Sequence, residues 1–99
     1  MRECVLSPEA VADLQAVWDF IAKDNESAAD RMVDQILDAF DRLAQWPGLG
    51  HIRPDLTTRD VRFWGVESYL IVYRESHGVL HIVAILHGSR DIPTVLGAR

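Results

Sequence analysis

His87, Ser89 and Asp91 place the residue types of a hydrolytic triad within five consecutive positions. A triad works when its members converge from separate elements with the histidine between nucleophile and acid, so this crowding argues against acyl transfer. His81 and His87 would share one face of a regular strand, but six residues of strand separate them by ~20 Å, too far to hold one ion, and no metal site is expected. Asp13, Asp19, Asp34, Asp38 and Asp41 fall where solvated helix faces are expected rather than as paired catalytic carboxylates. Pro47-Gly48-Leu49-Gly50-His51 has glycines but neither the lysine nor the strand–loop–helix frame of a phosphate loop. The remaining chemistry is cationic: His51, Arg53, Arg59, Arg62, Arg74, His87 and Arg90 all lie in the second half. Converging guanidiniums bind phosphate or carboxylate bidentately. The plainer alternative is that each pairs locally with Asp55, Asp60, Glu75 or Asp91.

Positioning these groups requires a scaffold, and the chain spells one out. Val5-Leu6 is a short strand candidate. Ser7-Pro8 reads as a helix start, serine capping and proline at the first helical position, where a missing N–H costs nothing. Val11, Leu14, Val17/Trp18 and Ile21 recur at helical spacing through about Lys23. Ser27 with Asp30 resembles a capping box for a second helix whose apolar face is Met32/Val33, Ile36, Ala39/Phe40 and Leu43, ending at Trp46-Pro47-Gly48. The short link makes the two helices an antiparallel hairpin. After a Pro/Gly-rich loop over 47–58, strands are predicted at Asp60–Val66, Tyr69–Glu75 and Val79–His87, joined by turns at Glu67-Ser68 and Ser76-His77-Gly78. A final segment runs Gly88–Leu96. The order β-α-α-β-β-β predicts one α+β domain over residues 1–99: an N-terminal strand, a helical hairpin and a three-stranded antiparallel meander.

Both faces of the last two strands are apolar. Tyr69, Ile71 and Tyr73 alternate with Leu70, Val72 and Arg74; Leu80, Ile82, Ala84 and Leu86 alternate with His81, Val83, Ile85 and His87. One helical hairpin covers one face, so the other needs the C-terminal segment, a second chain, or both.

Composition narrows the function classes. With 99 residues, 48% hydrophobic and 25% charged, the chain is one globular domain's worth of material. The only cysteine, Cys4, excludes an internal disulfide framework and a cysteine-rich zinc module. No apolar run approaches the ~20 residues of a membrane span, and the opening Met1–Ser7 is too short and acidic for a signal peptide, so a cytoplasmic, reducing compartment is expected. Residues 1–50 carry net −6 and residues 51–99 net +1, within a total of −5. That balance argues against direct nucleic-acid binding over a broad surface while leaving room for a small basic site.

Read in order, Leu6-Ser7-Pro8-Glu9-Ala10, Asp13-Leu14, Ala28-Ala29, Phe40-x-x-Leu43-x-x-x-Pro47-Gly48, Val61-Arg62, Tyr69-Leu70-Ile71-Val72-Tyr73-Arg74 and Ile85-Leu86-His87-Gly88-Ser89-Arg90-Asp91-Ile92 resemble a ParE-type toxin of the RelE/ParE superfamily of bacterial toxin–antitoxin pairs. The resemblance covers nearly the whole chain. It implies a bacterial cytoplasmic toxin without a cofactor, neutralised by a cognate ParD-like antitoxin and inhibiting DNA gyrase by binding. RelE-like members of the superfamily instead cleave mRNA on the ribosome with arginines, lysines and a C-terminal tyrosine. In this sequence the RelE third-strand arginine falls at Leu70 and the tyrosine at Leu96, while Arg90 matches a RelE catalytic arginine. Leucine can neither stabilise a phosphorane nor move a proton, so the resemblance favours the non-enzymatic branch. The ribonuclease alternative would use Arg62, Arg74, His87 and Arg90; a third reading is a decayed toxin that only binds its antitoxin. Arg90, His87 and Ser89 are the target-binding candidates. Leu70, Val72, Val83 and Ile85 on the sheet, with Trp18 on the first helix, are the antitoxin-binding candidates.

Overall fold

The computed structural model describes residues 3–99. β1 (Glu3–Leu6) leads into α1 (Pro8–Ala22) and α2 (Glu26–Gln45); a 3-10 turn at Pro47–Leu49 and a loop then reach β2 (Arg62–Val66), β3 (Tyr69–Ser76), β4 (Val79–His87) and a short α3 (Ile92–Gly97). The predicted α+β order holds. Ser7 caps α1 by accepting from the Ala10 N–H at 3.0 Å, with Pro8 in the first turn as its sequence requires.

The cap of α2 differs from the sequence reading. Asn25, not Ser27, accepts from the Ala28 N–H at 3.0 Å. Asp30, the supposed capping-box partner, instead accepts from Trp18 Nε1 at 2.8 Å and ties the two helices together. Asn25→Ala is therefore expected to cost about 1 kcal/mol and Ser27→Ala only a few tenths, measured by urea unfolding. Equal losses from the two would contradict this cap.

The sheet is mixed rather than wholly antiparallel. Its order is β1-β4-β3-β2, with β2, β3 and β4 an antiparallel meander and β1 parallel to β4 from Glu3↔Val79 to Leu6↔Ile82. Four residues carry no sign of strand direction, and the helical hairpin returns the chain so that first and last strands lie side by side. β2 starts at Arg62 rather than Asp60, and β3 runs to Ser76, leaving His77-Gly78 as a two-residue turn with both φ positive.

A β-bulge resets the faces of β4. Val72 opposes Ala84 but Tyr73 opposes Ile82, so Val83 is the extra residue. The predicted alternation therefore fails past Val83, because a one-residue slip exchanges the faces. Leu80, Ile82 and Ile85 join Ile36, Phe40, Leu43, Ile71 and Tyr73 in the core under the helices. Ala84 and Leu86 join Val61, Phe63, Val72, Ile92 and Leu96 in a second core on the outer face. The chain's own C-terminal segment and the loop before β2 supply that outer cover. Fully burying a side chain such as Leu86 or Leu96 contributes roughly 1.5–3 kcal/mol, which is why α3 docks.

Candidate functional site

Where β4 leaves the sheet, the chain turns through Gly88 and Ser89 and presents Arg90 to solvent. This end of the sheet and α1 enclose a cleft of about 430 Å³, lined by Asp13, Val17, Phe20, Tyr69, His87 and Arg90 among others. Its wall is apolar: Phe20 stands 67% exposed and Tyr69 meets the His87 ring edge-on, centroids 5.3 Å apart. Its rim is polar. The Ser89 backbone N–H donates to His87 Nδ1 at 3.1 Å, and Ser89 Oγ lies 2.7 Å from the same nitrogen. The Ser89 backbone N–H and hydroxyl are thus both gathered at one edge of the His87 ring. Asp91 does not complete a triad: it caps α3, accepting from Thr94 Oγ1 at 2.8 Å. Target candidates Arg90, His87 and Ser89 are thus brought together at one mouth.

Asp13 closes the inner side. The sequence reading placed it on a solvated helix face; it is instead largely buried, accepting from the Ile85 N–H at 3.0 Å and from both terminal guanidinium nitrogens of Arg99, Nη2 lying 2.8 Å from Oδ1. β1 stops opposite Ile82; beyond it the Val83 carbonyl accepts from Ser7 Oγ at 3.2 Å, and the Ile85 N–H relies on Asp13. The carboxylate of Asp13 pushes the Arg99 pKa further up, against the opposing cost of burial. Ala10, Asp13, Leu14 and Val17 lie at helical spacing on the buried stripe, the one sequence signal that sets Asp13 apart from the other aspartates.

The ribonuclease alternative needed four groups in one place, and they fall at two ends of the sheet. Arg62 and Arg74 flank a pocket beside Pro47, Gly48 and Tyr73. His87 opposes Tyr69, whereas Arg62 opposes Tyr73 and Arg74 opposes His81, so four to five residues of β3, roughly 15 Å of strand, lie between the two pairs. Arg62 is occupied structurally, donating to the Gly50 carbonyl at 2.9 Å. The Tyr73 hydroxyl donates to the Pro47 carbonyl at 2.6 Å and accepts from the Gly50 N–H at 2.8 Å; burial pushes its pKa up, partly offset by the bond from Gly50. Arg53 pairs with Asp55 at 2.8 Å, the local pairing anticipated for an exposed arginine. The bulge also puts His81 and His87 on opposite faces, correcting the shared face expected of them. No group of three or more metal-ligating residues clusters among the described residues.

The sheet's antitoxin candidates are partly consumed by the fold. Val72 and Ile85 are buried, at 0% and 2% exposure, in the outer and inner cores respectively, and present no free surface. Leu70 and Val83 are half-buried at the edge of the outer core. Trp18 is half-buried and lines an apolar groove on the outside of the helical hairpin with Val11, Leu14 and Val33. No helix among the described residues is long and apolar enough to cross a membrane.

Comparison with known proteins agrees with this architecture. A family described as "ParE toxin of type II toxin-antitoxin system, parDE" matches residues 4–92. Toxin RelE2 of Caulobacter vibrioides is 36% identical over 90 residues, covering 91% of this chain and 99% of its own. A solved structure described as "Chromosomal ParDE TA system from P. aeruginosa" superposes with a TM-score of 0.71 at 23% identity, over 88% of this chain and 96% of that one; at that identity it speaks to the fold.

Proposed function

The chain belongs to the ParE toxin family of type II toxin–antitoxin systems, and from that premise we propose that it acts by binding DNA gyrase, without cleaving RNA, and is neutralised by a ParD-like antitoxin. The observation that carries this reading is what the fold does with the ribonuclease positions. Leu96, where a RelE-type tyrosine would stand, is 2% exposed and is a structural member of the outer core. Leu70, at the third-strand arginine position, packs against the same core. The separation of Arg62 and Arg74 from His87 and Arg90 supports it further. The relative named Toxin RelE2 carries the other branch's name, so the decisive assays must report on RNA and on gyrase alike.

Within this reading Arg90 contacts the target. It is exposed, and among the described residues no carboxylate forms an ion pair with it. Arg90→Ala is expected to change unfolding free energy by less than about 1 kcal/mol while clearly weakening growth inhibition on induced expression. Full toxicity retained, or a large fall in melting temperature, would remove Arg90 from the target surface. Co-expression of a cognate ParD-like antitoxin should abolish growth inhibition by the native protein.

A further inference from the structure

A second basic site lies away from the cleft, on the outer face of the sheet near the edge strand β1. Arg74 and His81 sit directly opposite each other on β3 and β4, and Val5 of β1 opposes His81 on its other side. Arg59 from the loop and Arg99 from the C-terminus complete the walls of a pocket of about 230 Å³, with Glu9 at its rim. These cations are not equally free. Arg99 is answered by Asp13, with Glu9 adding to the local negative field. Arg59 spends one N–H on a neutral acceptor, the Leu96 carbonyl, at 3.2 Å. Among the described residues neither Arg59 nor Arg74 has a carboxylate within 4.0 Å. Cross-strand pairing offers Arg74 only an imidazole, which cannot neutralise it. Two guanidinium charges without partners thus face one small cavity in a chain whose net charge is −5.

We propose that this pocket binds a carboxylate side chain from an acidic, extended segment of a protein partner. Guanidinium forks match a carboxylate bidentately. The apolar wall of Val5, which is 43% exposed, with half-buried Val83 beside it, suits the methylenes of a glutamate and its apolar neighbours. A nucleic acid is disfavoured because its sequence-independent binding needs a run of cations along the backbone, and its phosphates and sugars offer no apolar group to the exposed Val5 wall. Since β1 is the sheet's edge, a segment has open access beside Val5. The proposal depends neither on gyrase nor on the cleft at Arg90.

The test uses the full chain and three probes: a fluorescein-labelled peptide of alternating glutamate and valine, labelled single-stranded oligothymidylate of equal charge, and inorganic phosphate as competitor. In fluorescence anisotropy, Arg74→Gln is expected to weaken peptide binding at least about tenfold, with Arg74→Lys intermediate because it keeps the charge and loses the fork. Arg42→Gln, on the exposed side of α2, removes the same charge elsewhere and should leave binding unchanged. No peptide binding by the native chain, equal binding by Arg74→Gln with native circular dichroism, or an Arg42→Gln loss as large as that of Arg74→Gln would overturn the proposal. Tighter binding of oligothymidylate would assign the pocket to nucleic acid, and phosphate binding as tight as the peptide's would assign it to small oxyanions; both are contrary results.

Discussion

Gly50→Ala is expected to be among the most damaging single-methyl changes in this chain. A Cβ at Gly50 would overlap the Tyr73 hydroxyl oxygen and lie 2.7 Å from ring carbon Cε1. The backbone angle is not the difficulty, since φ is −71°; the space is taken. Tyr73 is fully buried, and its hydroxyl is held by Pro47 and Gly50, so the rigid ring has nowhere to retreat. Overpacking plus two broken hydrogen bonds should cost about 2–4 kcal/mol, lowering Tm by roughly 10–25 °C for a domain of this size. In Gly50→Ala/Tyr73→Phe the loss should be smaller than the sum of the two single losses, because removing the hydroxyl oxygen relieves the overlap. The same hydroxyl sets an alkaline limb. Its folded pKa is raised, so its contribution is complete below the unfolded value near ~10 and is lost as pH rises through the folded value; Tyr73→Phe should lack that limb. A Gly50→Ala protein as stable as the native one would show that the loop does not lean on Tyr73.

Asp13→Ala should be similarly severe, for a different reason. One carboxylate satisfies the Ile85 N–H on the unpaired part of the β4 edge and the guanidinium of Arg99. The Arg99 and Asp13 side chains are only 17% and 10% exposed, so little water is at hand to replace what is removed. Leaving the N–H without a partner and the guanidinium without its anion should cost about 2–4 kcal/mol. Asp13→Asn keeps an oxygen for Ile85 and loses only the charge, so about half that loss is expected. Arg99→Gln should resemble Asp13→Asn if the pair is what matters, and the three unfolding curves separate hydrogen bond from charge. Equal losses for Asn and Ala would place the whole effect on Arg99.

The elements that read well from sequence are those whose pattern repeats. Helical spacing over Val11–Ile21 and Met32–Leu43, alternation in 69–75 and the Ser7-Pro8 start all signal locally, and each is found where expected. What was missed depends on single residues or distant partners. The spacing of Ser27 and Asp30 imitates a capping box, yet Asn25 comes first and caps the helix, freeing Asp30 for Trp18. Val83 looks like one more strand valine, and only its register against Val72 and Tyr73 makes it a bulge. Ile92–Gly97 is too short to announce a helix, and its cap, Asp91, reads in sequence as the acid of a crowded triad or a local partner for an arginine. In the cleft, His87, Ser89 and Arg90 were legible because they are adjacent in sequence. Phe20 was not, and Asp13 was misplaced, because their roles arise from α1 crossing the end of β4. The expectation that antitoxin covers the sheet face gave way at Val72 and Ile85 because α3 and the helices already cover them.

The most direct measurement places the purified protein in two assays side by side: supercoiling of relaxed plasmid by DNA gyrase, and translation of a defined mRNA in a cell-free extract. Inhibited supercoiling or accumulated cleaved plasmid, reversed by the ParD-like antitoxin and weakened by Arg90→Ala, with the mRNA left intact, is the predicted result. Cleaved mRNA on translating ribosomes with gyrase unaffected would contradict it and move the protein to the ribonuclease branch of its superfamily.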